Sequence, residues 1–101
     1  MAKLEITLHE KGGDVTYKQN HVSGQKFLDY LELEAELEQG HLTVVQAIEK
    51  RLEYVASLFS DEGLTAQQII EGLDPWEVST TLGKITDTIL GIEETGEKKE
   101  Q

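Results

Sequence analysis

The chain of 101 residues is too short for a barrel or a doubly wound enzyme, and its 38% hydrophobic content is enough for one small core. Twenty acidic residues against nine basic ones give a formal charge of -11, which argues against nucleic acid or an anionic membrane as a partner. The absence of cysteine excludes disulfides, thiolate zinc sites and cysteine nucleophiles. No apolar run approaches the ~20 residues of a membrane helix, and the N-terminus lacks a signal-peptide core, so we expect a soluble intracellular protein.

The first predicted element is an antiparallel β-hairpin over residues 3–18. Apolar and polar residues alternate in its first strand, which is the period of a strand with one buried face. The inward positions are Leu4, Ile6 and Leu8. Gly12 and Gly13 supply the turn. Because a two-stranded hairpin is marginal alone, later elements must cover its apolar face.

The second element, residues 24–39, is predicted to be a helix with Ser23 as its N-cap. Its Leu-Glu alternation also suits a strand, but Leu, Glu and Ala are strong helix formers and β-branched residues are absent. On a helix the apolar residues form two stripes. The first stripe comprises Phe27, Leu28, Leu31 and Ala35, and the second comprises Tyr30, Leu33 and Leu37. Either the hairpin and the later helices cover one stripe each, or the second stripe is an exposed surface for a partner or another copy.

Three further helices are predicted over residues 44–59, 66–71 and 75–90. Capping boxes open the first two of these, with Thr43 and Gln46 in one and Thr65 and Gln68 in the other. The third has Asp74 at its N-cap, Pro75 at the first helical position and Glu77 three residues after the cap. The apolar face of the helix over residues 44–59 comprises Val45, Ile48, Leu52, Val55, Ala56 and Phe59.

The pattern as a whole predicts an α+β, mostly helical fold, with the N-terminal hairpin followed by about four helices in one compact domain over residues 1–91. The last ten residues, 92–101, contain one apolar side chain and are predicted to be a disordered tail.

Catalytic chemistry is not indicated by any motif. The three histidines, His9, His21 and His41, share no metal-ligand spacing, and the abundant carboxylates suggest a solvated surface. No nucleophile elbow, Walker loop or dinucleotide fingerprint is present. We therefore predict no catalytic, cofactor-binding or metal-binding residue and no enzyme activity. Trp76 has two interpretations: a binding hot spot, or, the favoured one, a side chain packed on Leu64 or Leu73.

The order of elements and the stretch from Tyr54 to Leu73 resemble the tail assembly chaperones of long-tailed phages and prophages of Gram-positive bacteria. In that family a helix ending in Phe, here Phe59, is followed after a short polar turn by a phrase like Gly63 to Leu73 and then a closing helix. Leu64 stands where an aromatic residue is usual, and Gln67 and Gln68 replace the commoner acidic pair.

The resemblance implies a protein without enzymatic activity that binds the long, aggregation-prone tape measure protein. It would keep this client soluble in the host cytoplasm until the tail tube polymerises, and would be absent from the mature virion. The major tail tube protein and a second copy of the chain are further expected partners. The candidate interaction residues are Tyr30, Leu33, Leu37 and Trp76. The alternative is an acidic inhibitor or DNA mimic that binds a host nucleic-acid-processing enzyme, with binding that salt weakens steeply.

Overall fold

The computed structural model describes residues 4–59 and 62–92. Within these residues an antiparallel hairpin is followed by four α-helices, which confirms the predicted α+β class and element order. The strands are β1 (Leu4–Glu10) and β2 (Gly13–Gln19), and the helices are α1 (Gln25–Glu38), α2 (Val44–Leu58), α3 (Ala66–Gly72) and α4 (Val78–Leu90). The predicted disordered tail lies, from residue 93 onward, outside the described residues.

The hairpin forms because its inward residues have a helical layer to cover them. Its register runs from Leu4 opposite Gln19 to Glu10 opposite Gly13. Gly13 closes the turn at a φ of 120°, a conformation that residues with a Cβ rarely adopt. The three predicted inward residues of β1 are buried, and β1 packs on α3 and α4.

Gly72 is the point of closest approach between α3 and β1. It is the last residue of α3, one residue beyond the predicted end of this helix at residue 71. A Cβ placed on it would lie 2.7 Å from the Cβ of Leu8. The missing side chain therefore allows α3 to sit directly on the strand.

The predicted capping boxes are present at both threonines. The Thr43 backbone N–H donates to Gln46 Oε1 at 2.9 Å and the Gln46 N–H donates to Thr43 Oγ1 at 3.1 Å. Thr65 and Gln68 repeat both bonds with the same lengths. These side chains satisfy amides that the first helical turn leaves without partners.

Two helices, α1 and α4, begin at residues other than the predicted ones. Pro75–Glu77 form a 3-10 turn, and α4 begins only at Val78. In α1 the N-cap is Gly24, one residue later than predicted, although Ser23 Oγ still accepts the Gln25 N–H at 3.1 Å. Helix ends commonly tighten or shift in this way because the terminal amides have several competing acceptors.

The core lies between the hairpin and helices α2, α3 and α4. Its buried members are Leu4, Ile6, Leu8, Leu52, Val55, Ala56, Leu58, Phe59, Leu64, Ile69, Leu73, Leu82 and Ile85. Val45 and Ile48, predicted on the buried face of α2, are exposed, because the first turns of this helix have no apolar layer over them. Helix α1 contributes no residue to this cluster and packs on α2 and α4.

Candidate protein-interaction surface

An ion pair fixes α1 against α2. Arg51 Nη1 lies 3.0 Å from Glu34 Oε2, and Arg51 Nη2 lies 3.4 Å from Glu34 Oε1, so the guanidinium binds the carboxylate with both nitrogens. The Tyr30 hydroxyl donates a further hydrogen bond to Glu34. The bonds from Arg51 and then Tyr30 lower the pKa of Glu34. The pair stays charged at neutral pH and sets the rotation of α1.

Two tyrosines complete this helix–helix contact. The rings of Tyr30 and Tyr54 are 5.7 Å apart and tilted by 52°. Tyr54 donates its hydroxyl to the Lys26 carbonyl at 2.6 Å, and burial raises the pKa of Tyr54 to about 12. The Lys26 ammonium donates to Ser57 Oγ at 3.2 Å. The stripe of α1 that contains Tyr30 therefore faces α2.

The four predicted interaction residues fall into three environments. Tyr30 is only 6% exposed, so it is not accessible to a partner as α1 is packed here. Leu33 and Leu37 are half-buried on the same stripe. Trp76 is 77% exposed, and the favoured interpretation of a side chain packed on its neighbours is wrong. It lies on the 3-10 turn, whose short length leaves the indole outside the core.

The other stripe of α1 is the exposed one. Phe27, Leu28 and Leu31 are 42%, 52% and 46% exposed, and Ala35 on the same stripe is also exposed. The hairpin packs on α3 and α4, so the interpretation in which it covers a stripe of α1 is wrong. We call these four residues the α1 outer stripe. The helical periodicity predicts both stripes but does not indicate which of the two is covered.

A second group of exposed apolar residues lies at the start of α2. Val44 is 77% exposed, and Val45 and Ile48 continue the group on the next positions. Leu90 and Ile92 at the end of α4 are exposed as well. Contiguous exposed apolar side chains mark contact sites in proteins, and the groups on α1 and at the start of α2 each occupy neighbouring helix positions.

A groove of about 390 Å³ separates α1 from α4 above the ion pair. Its walls are Tyr30, Glu34, Ile48, Arg51, Val78, Ser79, Leu82, Gly83, Thr86 and Asp87. Gly83 leaves space on α4, since nothing lies within 4 Å of a Cβ placed there. The mixed lining suits a side chain from a partner better than a small-molecule substrate.

His9 joins the hairpin to the start of α4. Its Nδ1 lies 2.8 Å from Asp14 Oδ1, and its Nε2 lies 3.1 Å from Glu77 Oε1 and 3.7 Å from Asp74 Oδ2. The hydrogen bonds to Asp14 and then Glu77 raise the pKa of His9. His9, Asp74 and Glu77 could offer ligand atoms to a cation, and this grouping was missed because residue 9 is far from residue 77 in sequence. All three side chains are open to solvent, and as placed they bond to one another.

The fold and this surface define a small acidic protein with exposed apolar side chains on several elements. The chain matches the family model of phage tail chaperone proteins over residues 1–101, and it belongs to that family, which is not a class of enzymes. The resemblance drawn from the sequence is thereby confirmed at the level of the family. No curated protein and no solved structure gives a significant match. Within the described residues, no helix is both long enough and apolar enough to cross a bilayer.

Proposed function

We propose that this tail chaperone binds the tape measure protein and keeps it soluble until the tail tube polymerises around it. The observation that supports the proposal is the set of apolar side chains left exposed on α1, α2 and the 3-10 turn of a family member. A protein that holds an aggregation-prone helical client needs such a surface, because apolar contact is what the client would otherwise make with itself.

The energetics of this surface suit reversible holding. Complete burial of a large aliphatic or aromatic side chain contributes about 1.5–3 kcal/mol, so covering a half-exposed Phe27 or Leu28 gains about 1 kcal/mol. Several such contacts bind a client, yet each is weak enough for the client to pass to the tail tube protein. The formal charge of -11 keeps the loaded complex apart from other copies.

The proposal also covers the place of action, the time of release and the partners of the chaperone. The chaperone acts in the cytoplasm of the bacterial host and leaves before the virion is complete. The major tail tube protein is a second partner at the time of transfer, and the chain associates with itself in the absence of client. Trp76, Leu33 and Leu37 remain predicted contact residues, with Trp76 the most accessible of them.

Co-expression with the tape measure protein of the same phage tests the proposal. We expect the client to move from the insoluble to the soluble fraction and to co-purify with the chaperone. A second co-expression with an unrelated acidic protein of similar size controls for a general effect of charge. A client that is equally insoluble with and without the chaperone contradicts the proposed function.

A further inference from the structure

We propose that the α1 outer stripe is the docking site for a cationic amphipathic helix of the client. The inference rests on the proposed function and adds the location of the site and the chemistry of the segment that it takes. The stripe comprises Phe27, Leu28, Leu31 and Ala35, whose side chains stay exposed among the residues that the structure describes. The partner segment has an apolar face lined on both sides by Lys or Arg.

Helix α1 keeps a negative charge on its outward side after its internal pairs are formed. The helix has five acidic residues and one basic residue. Glu34 is paired with Arg51, and Glu36 Oε2 lies 3.4 Å from the Lys50 ammonium. The single cation, Lys26, is half-buried and donates to Ser57 on α2. The outward side of α1 is therefore purely anionic.

Two of the remaining carboxylates of α1, Glu32 and Glu38, lie next to the outer stripe along the helix. Glu32 follows Leu28 by four residues, which places them one above the other on the helix surface. Glu38 follows Ala35 by three residues and continues the line of Leu31. Among the described residues neither carboxylate has an ion-pair partner. The stripe is thus flanked on one side by Glu32 and ended by Glu38, and a neutral or acidic helix pairs with neither carboxylate.

The same charges argue against a second copy of the chain as the occupant. Two outer stripes packed antiparallel would bring Glu32, at the middle of α1, close to Glu32 of the other copy. Packed parallel, they would bring the two Glu38 side chains together, and like charges that close repel. A Lys-lined helix gains from both the apolar contact and the carboxylates. Its Lys or Arg side chains also lay their methylene stems on the leucines while their charges reach the glutamates.

The stripe is presented on a firmly held helix. The contacts that fix α1 lie on its inner side and consist of the pair between Glu34 and Arg51 and the hydrogen bond from Tyr54 to the Lys26 carbonyl. Substitutions on the outer stripe leave these contacts untouched. Binding can therefore be tested with variants that keep the fold.

The probes are two labelled synthetic peptides of about 20 residues, long enough to form a helix on binding. Both carry Leu at i, i+3, i+4 and i+7, and the flanking positions are all Lys in one and all Glu in the other. Fluorescence anisotropy with the full chain is expected to show binding of the Lys peptide and none of the Glu peptide. Higher salt should weaken the binding of the Lys peptide.

Two pairs of matched variants locate the site. Leu28→Ser with Leu31→Ser should weaken binding of the Lys peptide by about tenfold or more. Val15→Ser with Ile70→Ser, at exposed positions on β2 and α3, should leave it within about twofold. Glu32→Gln with Glu38→Gln should lower both the affinity and its salt dependence. Glu5→Gln with Glu71→Gln, on β1 and α3, changes the net charge by the same amount as Glu32→Gln with Glu38→Gln. It should lower the affinity for the Lys peptide less.

Three results would overturn the inference. The first is that the Lys peptide binds the Leu28→Ser, Leu31→Ser variant as tightly as it binds the original chain. The second is that the Glu peptide binds as well as the Lys peptide. The third is that the original chain sediments as a dimer and this double variant as a monomer. Co-expression separates the two proposals. If the double variant still solubilises the tape measure protein, the docking site is wrong and the chaperone role stands, whereas failure of the unaltered chain contradicts the chaperone role itself.

Discussion

Two glycines in helices have opposite surroundings, and each leads to a different expectation. A Cβ on Gly72 meets Leu8 at 2.7 Å, so Gly72→Ala should force α3 away from β1 and cost about 1–3 kcal/mol. Gly83, inside α4, faces open space, so Gly83→Ala should stabilise the chain by about 0.5–1 kcal/mol through helix propensity alone. Urea unfolding followed by circular dichroism measures both. Equal effects of the two substitutions would show that packing at Leu8 is not the reason for Gly72.

Glu34 should make stability depend on pH in the acid range. Its folded pKa is lowered by Arg51 and Tyr30, so its contribution is fully present above the unfolded pKa of about 4.3 and is lost as pH falls through the folded value. Glu34→Gln should therefore cost about 1 kcal/mol at pH 7 and progressively less as the pH falls below the unfolded pKa of about 4.3.

Unfolding curves across this pH range, recorded for both chains, check the expectation. The same substitution in an Arg51→Met background serves as the control, because without the guanidinium the pH-dependent difference should largely disappear. Parallel stability curves for the original chain and Glu34→Gln would contradict the assignment.

At the scale of elements, His9 connects the hairpin to the 3-10 turn before α4. Its pKa is raised above 6.5 by Asp14 and Glu77, so its stabilising contribution is present below pH 6.5 and is lost as pH rises through the folded value. In the His9→Gln variant the free energy of unfolding should no longer fall as the pH rises through this range. His41→Gln is the control, because His41 has no side-chain hydrogen bond within the described part of the chain. This variant should still lose stability as the pH rises, since its His9 contacts are intact. Unfolding measured from about pH 6 to about pH 9 distinguishes the two.

The two stripes of α1 should respond differently to polar substitution. Leu33→Asp with Leu37→Asp places charges on the half-buried stripe beside Tyr30, so we expect a loss of about 2 kcal/mol or more and release of α1 from α2. Leu28→Ser with Leu31→Ser changes exposed positions and should cost less than about 1 kcal/mol in total. Chemical unfolding of both double variants gives the comparison, and equal losses would mean that both stripes are covered in solution.

At the scale of the whole molecule, charge and exposed apolar surface act in opposite directions on self-association. The charge of -11 keeps copies apart at low salt, and screening of that repulsion should promote association through exposed residues such as Val44 and Trp76. Sedimentation at about 0.05 M and about 0.5 M salt should show more association at the higher value. Val44→Ser with Trp76→Ser should abolish the increase. Association that falls as salt rises would show instead that complementary charges hold the copies together.

Local signals in the sequence predicted most of the elements because their causes are local. The alternation of Leu4, Ile6 and Leu8 and the capping boxes at Thr43 and Thr65 depend on residues within a few positions of one another. The 3-10 turn at Pro75 was not predicted, since a strong start signal does not say whether the first turn is an α or a 3-10 turn.

The sequence alone therefore predicted the hairpin, the order of the helices and the two apolar stripes on α1. It also showed the resemblance to tail chaperones. Only the tertiary structure decided which stripe is exposed, that Trp76 lies outside the core, and that His9 meets Glu77. The physical reason is that periodicity gives the direction of a side chain on its own helix, whereas burial depends on which other element comes to lie there. The hairpin packs on α3 and α4, and Phe27, Leu28 and Leu31 stay about half exposed.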